Sequence, residues 1–170
     1  MKTAITELFG IDVPIVAFTH CRDVVAAVSR AGGLGVLGAV GHSDRQLEID
    51  LDWIEAEIGD RPYGIDLIVP AKYAGSDQGG IKLSDLIAMI PQEHREFVDD
   101  ILIRYDVPEL TDDAPQGSAL VSGGGDNAPF SADRADVQLE IALAHRPSLV
   151  VNALGPPPAH MIEAMRGPMM

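Results

Sequence analysis

The sequence predicts an α/β protein that contains about four consecutive βα units of a parallel sheet, too few to close a full barrel. Short apolar runs alternate with helix-forming segments along the chain, which is the order expected of parallel strands joined by crossover helices. Hydrophobic residues make up 46% of the chain but aromatic residues only 5%, and this aliphatic bias suits strands buried beneath helices. The 170 residues are enough for one domain with a substantial core.

The first unit begins with an apolar run over residues 13–18, which we interpret as a buried strand. Residues 22–31 are rich in alanine and predict a helix, which Gly32 and Gly33 end. Residues 34–40 follow at once and predict a second buried strand.

The second helix is predicted from its start signal and its periodicity. Ser43 and Gln46 have the spacing of a capping box. Four apolar residues then share one helical face: Leu47, Leu51, Ile54 and Ile58. Residues 63–70 form the third predicted strand.

An insertion at about residues 71–130 interrupts this order, because it is too long for an ordinary βα loop. Within it, residues 83–90 and 93–105 look helical, whereas residues 111–129 are rich in Asp, Gly, Pro and Ser and predict a surface loop. We otherwise treat residues 1–170 as a single partial barrel.

The βα order resumes at Ala132. Val137, Ile141 and Ala144 form a predicted apolar stripe on a helix that ends near His145. Residues 148–154 predict the fourth strand, and residues 160–165 a short helix after it.

Charge and composition exclude several classes of function. The formal net charge of −14 disfavours binding to nucleic acids and to anionic membranes, and we expect an acidic cytoplasmic protein. No signal peptide or membrane-spanning run is evident. The one cysteine, Cys21, cannot form an internal disulfide, and no Cys/His spacing predicts a metal site. We expect Cys21 to be a buried structural thiol rather than a nucleophile.

Candidate site residues are those at the carboxyl ends of the strands, where ligands bind in parallel α/β proteins. The first strand delivers Phe18, Thr19 and His20; His20 either binds a ligand or packs against the following helix. Asp66 interrupts an apolar strand and must bond either to neighbouring backbone or to a ligand. Lys72 could pair with an anion, and Asn152 has either a structural or a ligand-binding role.

The order and spacing of several segments resemble the nitronate monooxygenase family. The similar segments are residues 6–11, 13–16 and 26–39, with residues 64–70 and the turn Gly155-Pro156-Pro157-Pro158 in corresponding places. The resemblance implies an FMN-binding TIM barrel that oxidises alkyl nitronates with molecular oxygen.

By this resemblance, the cofactor-binding residues are Phe18, Thr19 and His20, where family members usually have Ala-Pro-Met, and Asp66, where they commonly have a flavin-contacting Asn. The resemblance assigns no catalytic residue, since the family's catalytic His and FMN phosphate site fall beyond the matching segments. We therefore expect an N-terminal portion of such a barrel, with a small nitronate-like substrate and weak FMN affinity of its own. Two alternatives stay open: a non-catalytic half-barrel that associates with itself through its exposed edges, and another FMN barrel reductase that uses NADH.

Overall fold

The computed structural model describes residues 2–69, 83–108 and 132–166. Helices and strands alternate in the predicted order after one short N-terminal helix. The elements are α1 (Ala4–Phe9), β1 (Val16–Thr19), α2 (Arg22–Arg30), β2 (Leu34–Gly38), α3 (Asp44–Ile58), β3 (Tyr63–Leu67), α4 (Leu83–Ala88), α5 (Gln92–Arg104), α6 (Ala132–Ala144), β4 (Leu149–Asn152) and α7 (Ala159–Met165).

The four strands form one parallel sheet in the order β1-β2-β3-β4. Thr19 pairs with Leu37, Gly38 with Asp66, and Leu67 with Asn152. This register brings the carboxyl ends of all four strands to one edge of the sheet. The prediction of consecutive parallel βα units is confirmed.

One face of the sheet packs against α2, α3 and α6 to form the main core. Leu37, Ile65 and Leu67 of the strands are fully buried there. The predicted apolar face of α3 meets them, and its four residues are all buried: Leu47, Leu51, Ile54 and Ile58. Burying a residue such as Leu51 stabilises the fold by about 1.5–3 kcal/mol, because its whole side chain leaves water.

The opposite face of the sheet, the inner face, is covered unevenly. Leu34 and Val36 of β2 are buried there against Ile11. On the neighbouring edge strand, Val16 and Phe18 remain 49% and 56% exposed. The inner face is therefore apolar and open along β1.

The observed strands are shorter than predicted, and β1 is also shifted. It begins at Val16 rather than at residue 13, because the amides of Asp12 and Val13 both donate to the Gly32 carbonyl and Pro14 has no N–H. The later strands end at Gly38, Leu67 and Asn152, before the predicted boundaries.

The predicted apolar stripe of α6 is wrong at two of its three residues, whereas Ile141 is partly buried and packs against the main core. Val137 is 41% exposed and Ala144 is also exposed. The residues that are buried instead follow helical spacing and include a glutamine: Ala135, Gln138, Leu139 and Ala142. A buried amide is tolerated here because its nitrogen donates to backbone carbonyls of the loop after β2.

The two helices predicted inside the insertion are present as α4 and α5, within three residues of the predicted ends. Arg95 of α5 donates to the carbonyls of Ile87 and Ile90, which ties the two helices together. Lys72 and the predicted loop over residues 111–129 lie outside the described residues. In the described part of the chain, no helix combines the length and the apolar character needed to cross a membrane.

Candidate functional site

The site begins at the end of β1, where His20 is held against the end of β2. The Nδ1 atom of His20 lies 3.0 Å from the carbonyl oxygen of Gly38. The ring of Phe18 packs edge-on against the imidazole, with centroids 5.1 Å apart. His20 therefore bonds to the neighbouring strand rather than capping α2.

Gly38 makes this arrangement possible because it has no side chain. A Cβ atom at Gly38 would lie 2.6 Å from Cε1 of His20 and 2.8 Å from Cε2 of Phe18. Both distances are far below a van der Waals contact. The glycine thus leaves the space that the rings of Phe18 and His20 occupy.

We expect Gly38→Ala to displace the His20 ring while costing only about 1 kcal/mol of stability, because the clashing atoms are the ends of side chains and not backbone. The imidazole proton resonances of His20 should therefore shift, because the ring leaves its place beside Gly38. An NMR spectrum and a urea unfolding curve of the same variant measure the two effects. Unchanged His20 resonances in Gly38→Ala would contradict this role of Gly38.

Asp66 lies beside Gly38 on β3 and carries an unsatisfied atom. Its Oδ1 is buried and has no hydrogen-bond partner among the described residues. Burial raises the pKa of the Asp66 carboxyl, and the nearby His20 opposes this effect by favouring the charged form. The sequence left open whether Asp66 bonds to neighbouring backbone or to a ligand, and Oδ1 makes no backbone bond within the described residues.

The other residues at the end of β1 have local roles. The hydroxyl oxygen of Thr19 accepts a hydrogen bond of 3.0 Å from the Cys21 amide. Cys21 itself is exposed, so the expectation of a buried thiol is wrong. Its position at the start of α2, directly after the strand, places it on the surface rather than in the core.

Asn152, at the end of β4, is fully engaged with the backbone. Its Oδ1 accepts from the Val69 amide at 3.0 Å, and its Nδ2 donates to the Val69 carbonyl at 3.1 Å. Of the two roles that the sequence left open, the structure therefore shows the structural one. The pair extends the contact between β3 and β4 beyond the last strand residues.

A buried polar network supports the loop that follows β2. Asp50 of α3 accepts hydrogen bonds from Arg22 at 2.8 Å and Gln46 at 2.9 Å, and His42 Nε2 lies 3.1 Å from its other oxygen. The Arg22 guanidinium also stacks over the ring of Trp53 at 4.7 Å. Asp50 therefore joins α2, α3 and the loop at the carboxyl edge.

Gln138 of α6 fixes the same loop from the other side. Its amide nitrogen donates to the carbonyls of Ala39 and His42, both at 3.2 Å. Neither Gln138 nor Asp50 was predicted from the sequence. A signal was present for Asp50 in its spacing, since it lies three residues after Leu47 and one before Leu51, on the buried face of α3.

A second polar cluster lies at the amino ends of the strands, away from this site. The Tyr63 hydroxyl donates to Glu55 at 2.9 Å, and His145 Nδ1 lies 3.2 Å from the same oxygen. Burial and the Glu55 carboxylate raise the pKa of Tyr63 far above its ordinary value. Asp52, Glu55 and His145 bring one donor atom each within 4.8 Å of one another, beside a solvent-open cleft of about 500 Å³. The hydrogen bonds tie α3 to β3 and to the turn before β4.

Comparisons with known proteins agree with this architecture. A family model described as nitronate monooxygenase matches residues 2–165. The chain is 48% identical over 163 residues to a Mycobacterium tuberculosis protein named "Putative monooxygenase Rv1533", covering 96% of this chain and 42% of that protein. It is 36% identical over 75 residues to a Staphylococcus saprophyticus protein named "Probable nitronate monooxygenase", covering 42% of this chain and 21% of that protein.

Among solved structures, nitroalkane oxidase from Streptomyces ansochromogenes is similar in fold, with a TM-score of 0.58 and 22% sequence identity. The match covers 96% of this chain and 40% of that one. The four βα units therefore correspond to part of a TIM barrel. The chain spans about two fifths of the length of this structure and of the mycobacterial relative.

Proposed function

The chain belongs to the nitronate monooxygenase family, and from this premise we propose that it forms the flavin-contacting N-terminal part of an enzyme that oxidises alkyl nitronates with molecular oxygen. The observation that carries the proposal is the position of the family's βα units: residues 2–165 match, and their strand ends converge on His20, Gly38 and Asp66. Ligands of parallel α/β proteins bind at this edge.

The residues present are suited to a flavin in two ways. A flavin ring is planar and largely apolar, and the open inner face offers Phe18, more than half exposed, next to buried Val36. A flavin edge also carries hydrogen-bonding groups. Oδ1 of Asp66, which has no partner in the described part of the chain, offers a polar contact within the otherwise apolar surface.

Each site residue has a definable task in this proposal. Phe18 covers the ring surface, the backbone of residues 18–20 borders it, and Asp66 provides a directed polar contact. The Gly38 carbonyl already holds the His20 ring in place. Ligand binding therefore does not pay the entropy of ordering that side chain. The flavin, when bound, supplies the electron-accepting chemistry that these side chains lack.

The proposal is tested by titrating the isotope-labelled chain with FMN and following backbone amide shifts by NMR. We expect weak binding, with a dissociation constant of about 10 µM to 1 mM, and shifts centred on residues 18–20, 38 and 66. AMP is the matched control, because it has a phosphate and a heteroaromatic ring without the flavin. Shifts confined to the amino-end cleft around Tyr63 and His145, or no shifts at all, would contradict the proposal.

The reaction type is tested on the flavin-loaded chain. Oxygen uptake with an alkyl nitronate and no oxidation of NADH would favour the proposed reaction, whereas NADH oxidation without nitronate-dependent uptake would favour the reductase alternative. Chain that neither binds flavin nor consumes oxygen, and that sediments as a dimer, would favour the self-associating half-barrel.

A further inference from the structure

Asp66 differs from the other polar side chains at the carboxyl edge because its environment does not favour a charge. Its neighbours in the sheet register are Gly38 on one side and Val151 on the other. One carboxyl oxygen is buried and has no partner among the described residues. A negative charge shared by this oxygen would have lost water there without gaining a hydrogen bond from the described residues, which is costly.

Among the described residues, the titratable group that faces Asp66 is His20, which directly follows β1. The hydrogen bond of His20 fixes which ring nitrogen carries a proton. The Gly38 carbonyl can only accept, so Nδ1 of His20 must carry the proton. In the neutral ring, Nε2 is then an acceptor, and the proton on Nδ1 is committed to Gly38. His20 therefore does not donate that proton to Asp66.

From this geometry we propose that Asp66 acts as a neutral carboxylic acid that donates a hydrogen bond to an acceptor atom of the bound ligand, a carbonyl oxygen or a ring nitrogen of the flavin. The inference rests on the proposed function and adds the direction of the hydrogen bond. It is consistent with the chemistry of the site, since a carboxylate would repel an anionic nitronate and electron-rich acceptors alike. The raised pKa of Asp66 points the same way.

In this role, a carboxamide side chain could replace the carboxyl of Asp66, because its N–H can donate the same hydrogen bond. A neutral carboxyl and a carboxamide both donate a hydrogen bond, whereas a carboxylate only accepts. Asp66→Asn should therefore preserve ligand binding, and it should remove the dependence of binding on the carboxyl proton. Asp66→Leu should remove the donor at every pH.

The experiment measures riboflavin binding by fluorescence quenching from pH 5 to pH 8 in the full chain and in both variants. Riboflavin is the probe because it lacks the phosphate, which would itself titrate at about pH 6. In the parent chain, affinity should be highest at low pH, where Asp66 is protonated, and should fall as pH rises through its raised pKa. The dissociation constant of the parent chain relative to Asp66→Asn should rise as the pH increases, in the direction that the raised pKa of Asp66 sets.

The two proteins share every residue except the one at position 66, so this ratio reports on that side chain. Asp66→Leu should bind at least about tenfold more weakly than Asp66→Asn at pH 5, and urea unfolding of each variant checks that it is folded. Parallel pH profiles for the parent chain and Asp66→Asn, or affinity that rises with pH in the parent, would overturn the inference while leaving the proposed function standing. Absence of riboflavin binding in both proteins at every pH would defeat the proposed function, and the inference with it.

Discussion

Gly35→Ala is expected to destabilise the protein by about 3 kcal/mol or more, a larger loss than we expect for Gly38→Ala or for removal of any single polar contact. A Cβ atom at Gly35 would lie 2.8 Å from the Cα of Val25 and would also collide with the carbonyl of that residue. These are backbone atoms in the middle of α2, so no rotamer change relieves the clash. The helix would have to move away from β2 and open the core around Val25 and Leu37.

The midpoint of urea unfolding measures this loss. An unchanged slope of the unfolding free energy against urea concentration would show that the unfolded state is the same. Gly41→Ala is the matched control, because a Cβ atom there meets nothing within 4 Å. Its cost should stay below about 1 kcal/mol. If the two variants unfold at the same urea concentration, close packing of α2 on β2 is not what requires glycine at position 35.

Asp50→Ala is expected to have the second largest effect, a loss of about 2–3 kcal/mol. Removing the carboxylate leaves Arg22, Gln46 and His42 without a shared partner, and breaking a buried ion pair typically costs about 3–5 kcal/mol. We place the value lower because the Arg22 side chain is 34% exposed and water can compensate it in part. Urea unfolding again provides the measurement.

Glu57→Ala is the control for Asp50→Ala, since Glu57 pairs with Arg30 on the surface, with side-chain exposures of 40% and 49%. Exposed pairs of this kind contribute less than about 1 kcal/mol. The NMR chemical shifts of the backbone amides of residues 39–43 should also change in Asp50→Ala and not in Glu57→Ala, because the Asp50 network supports that loop. A larger loss in Glu57→Ala would refute the central role of Asp50.

The sequence predicted the parts of the fold that depend on repeated apolar spacing. The buried face of α3 was predictable because Leu47, Leu51 and Ile54 recur at helical intervals. The strand ends were less predictable, because hydrogen bonds across the chain set them. The Gly32 carbonyl, for example, takes the amides of Asp12 and Val13 and so delays the start of β1.

The site was predictable in position but not in its connections. The rule that ligands bind at strand ends selected His20 and Asp66. The register places Asp66 at that edge, and His20 directly follows the last residue of β1 there. The bond from His20 to Gly38 joins residues on different strands, and local sequence patterns carry no information about it. Gln138 was assigned to no role because a polar residue on a buried helix face breaks the pattern that periodicity detects.

The long connection between β3 and β4 has a consequence for how the molecule folds. Strands β1 to β3 follow one another closely, whereas β4 must return to β3 across the residues between Leu67 and Leu149. This connection is roughly three times as long as the one between β2 and β3. Because the entropy of closing a loop grows only with the logarithm of its length, the extra length costs about 1 kcal/mol. Distant pairings nevertheless form slowly. We therefore expect β1 to β3 to assemble first and β4, with α6, to dock last.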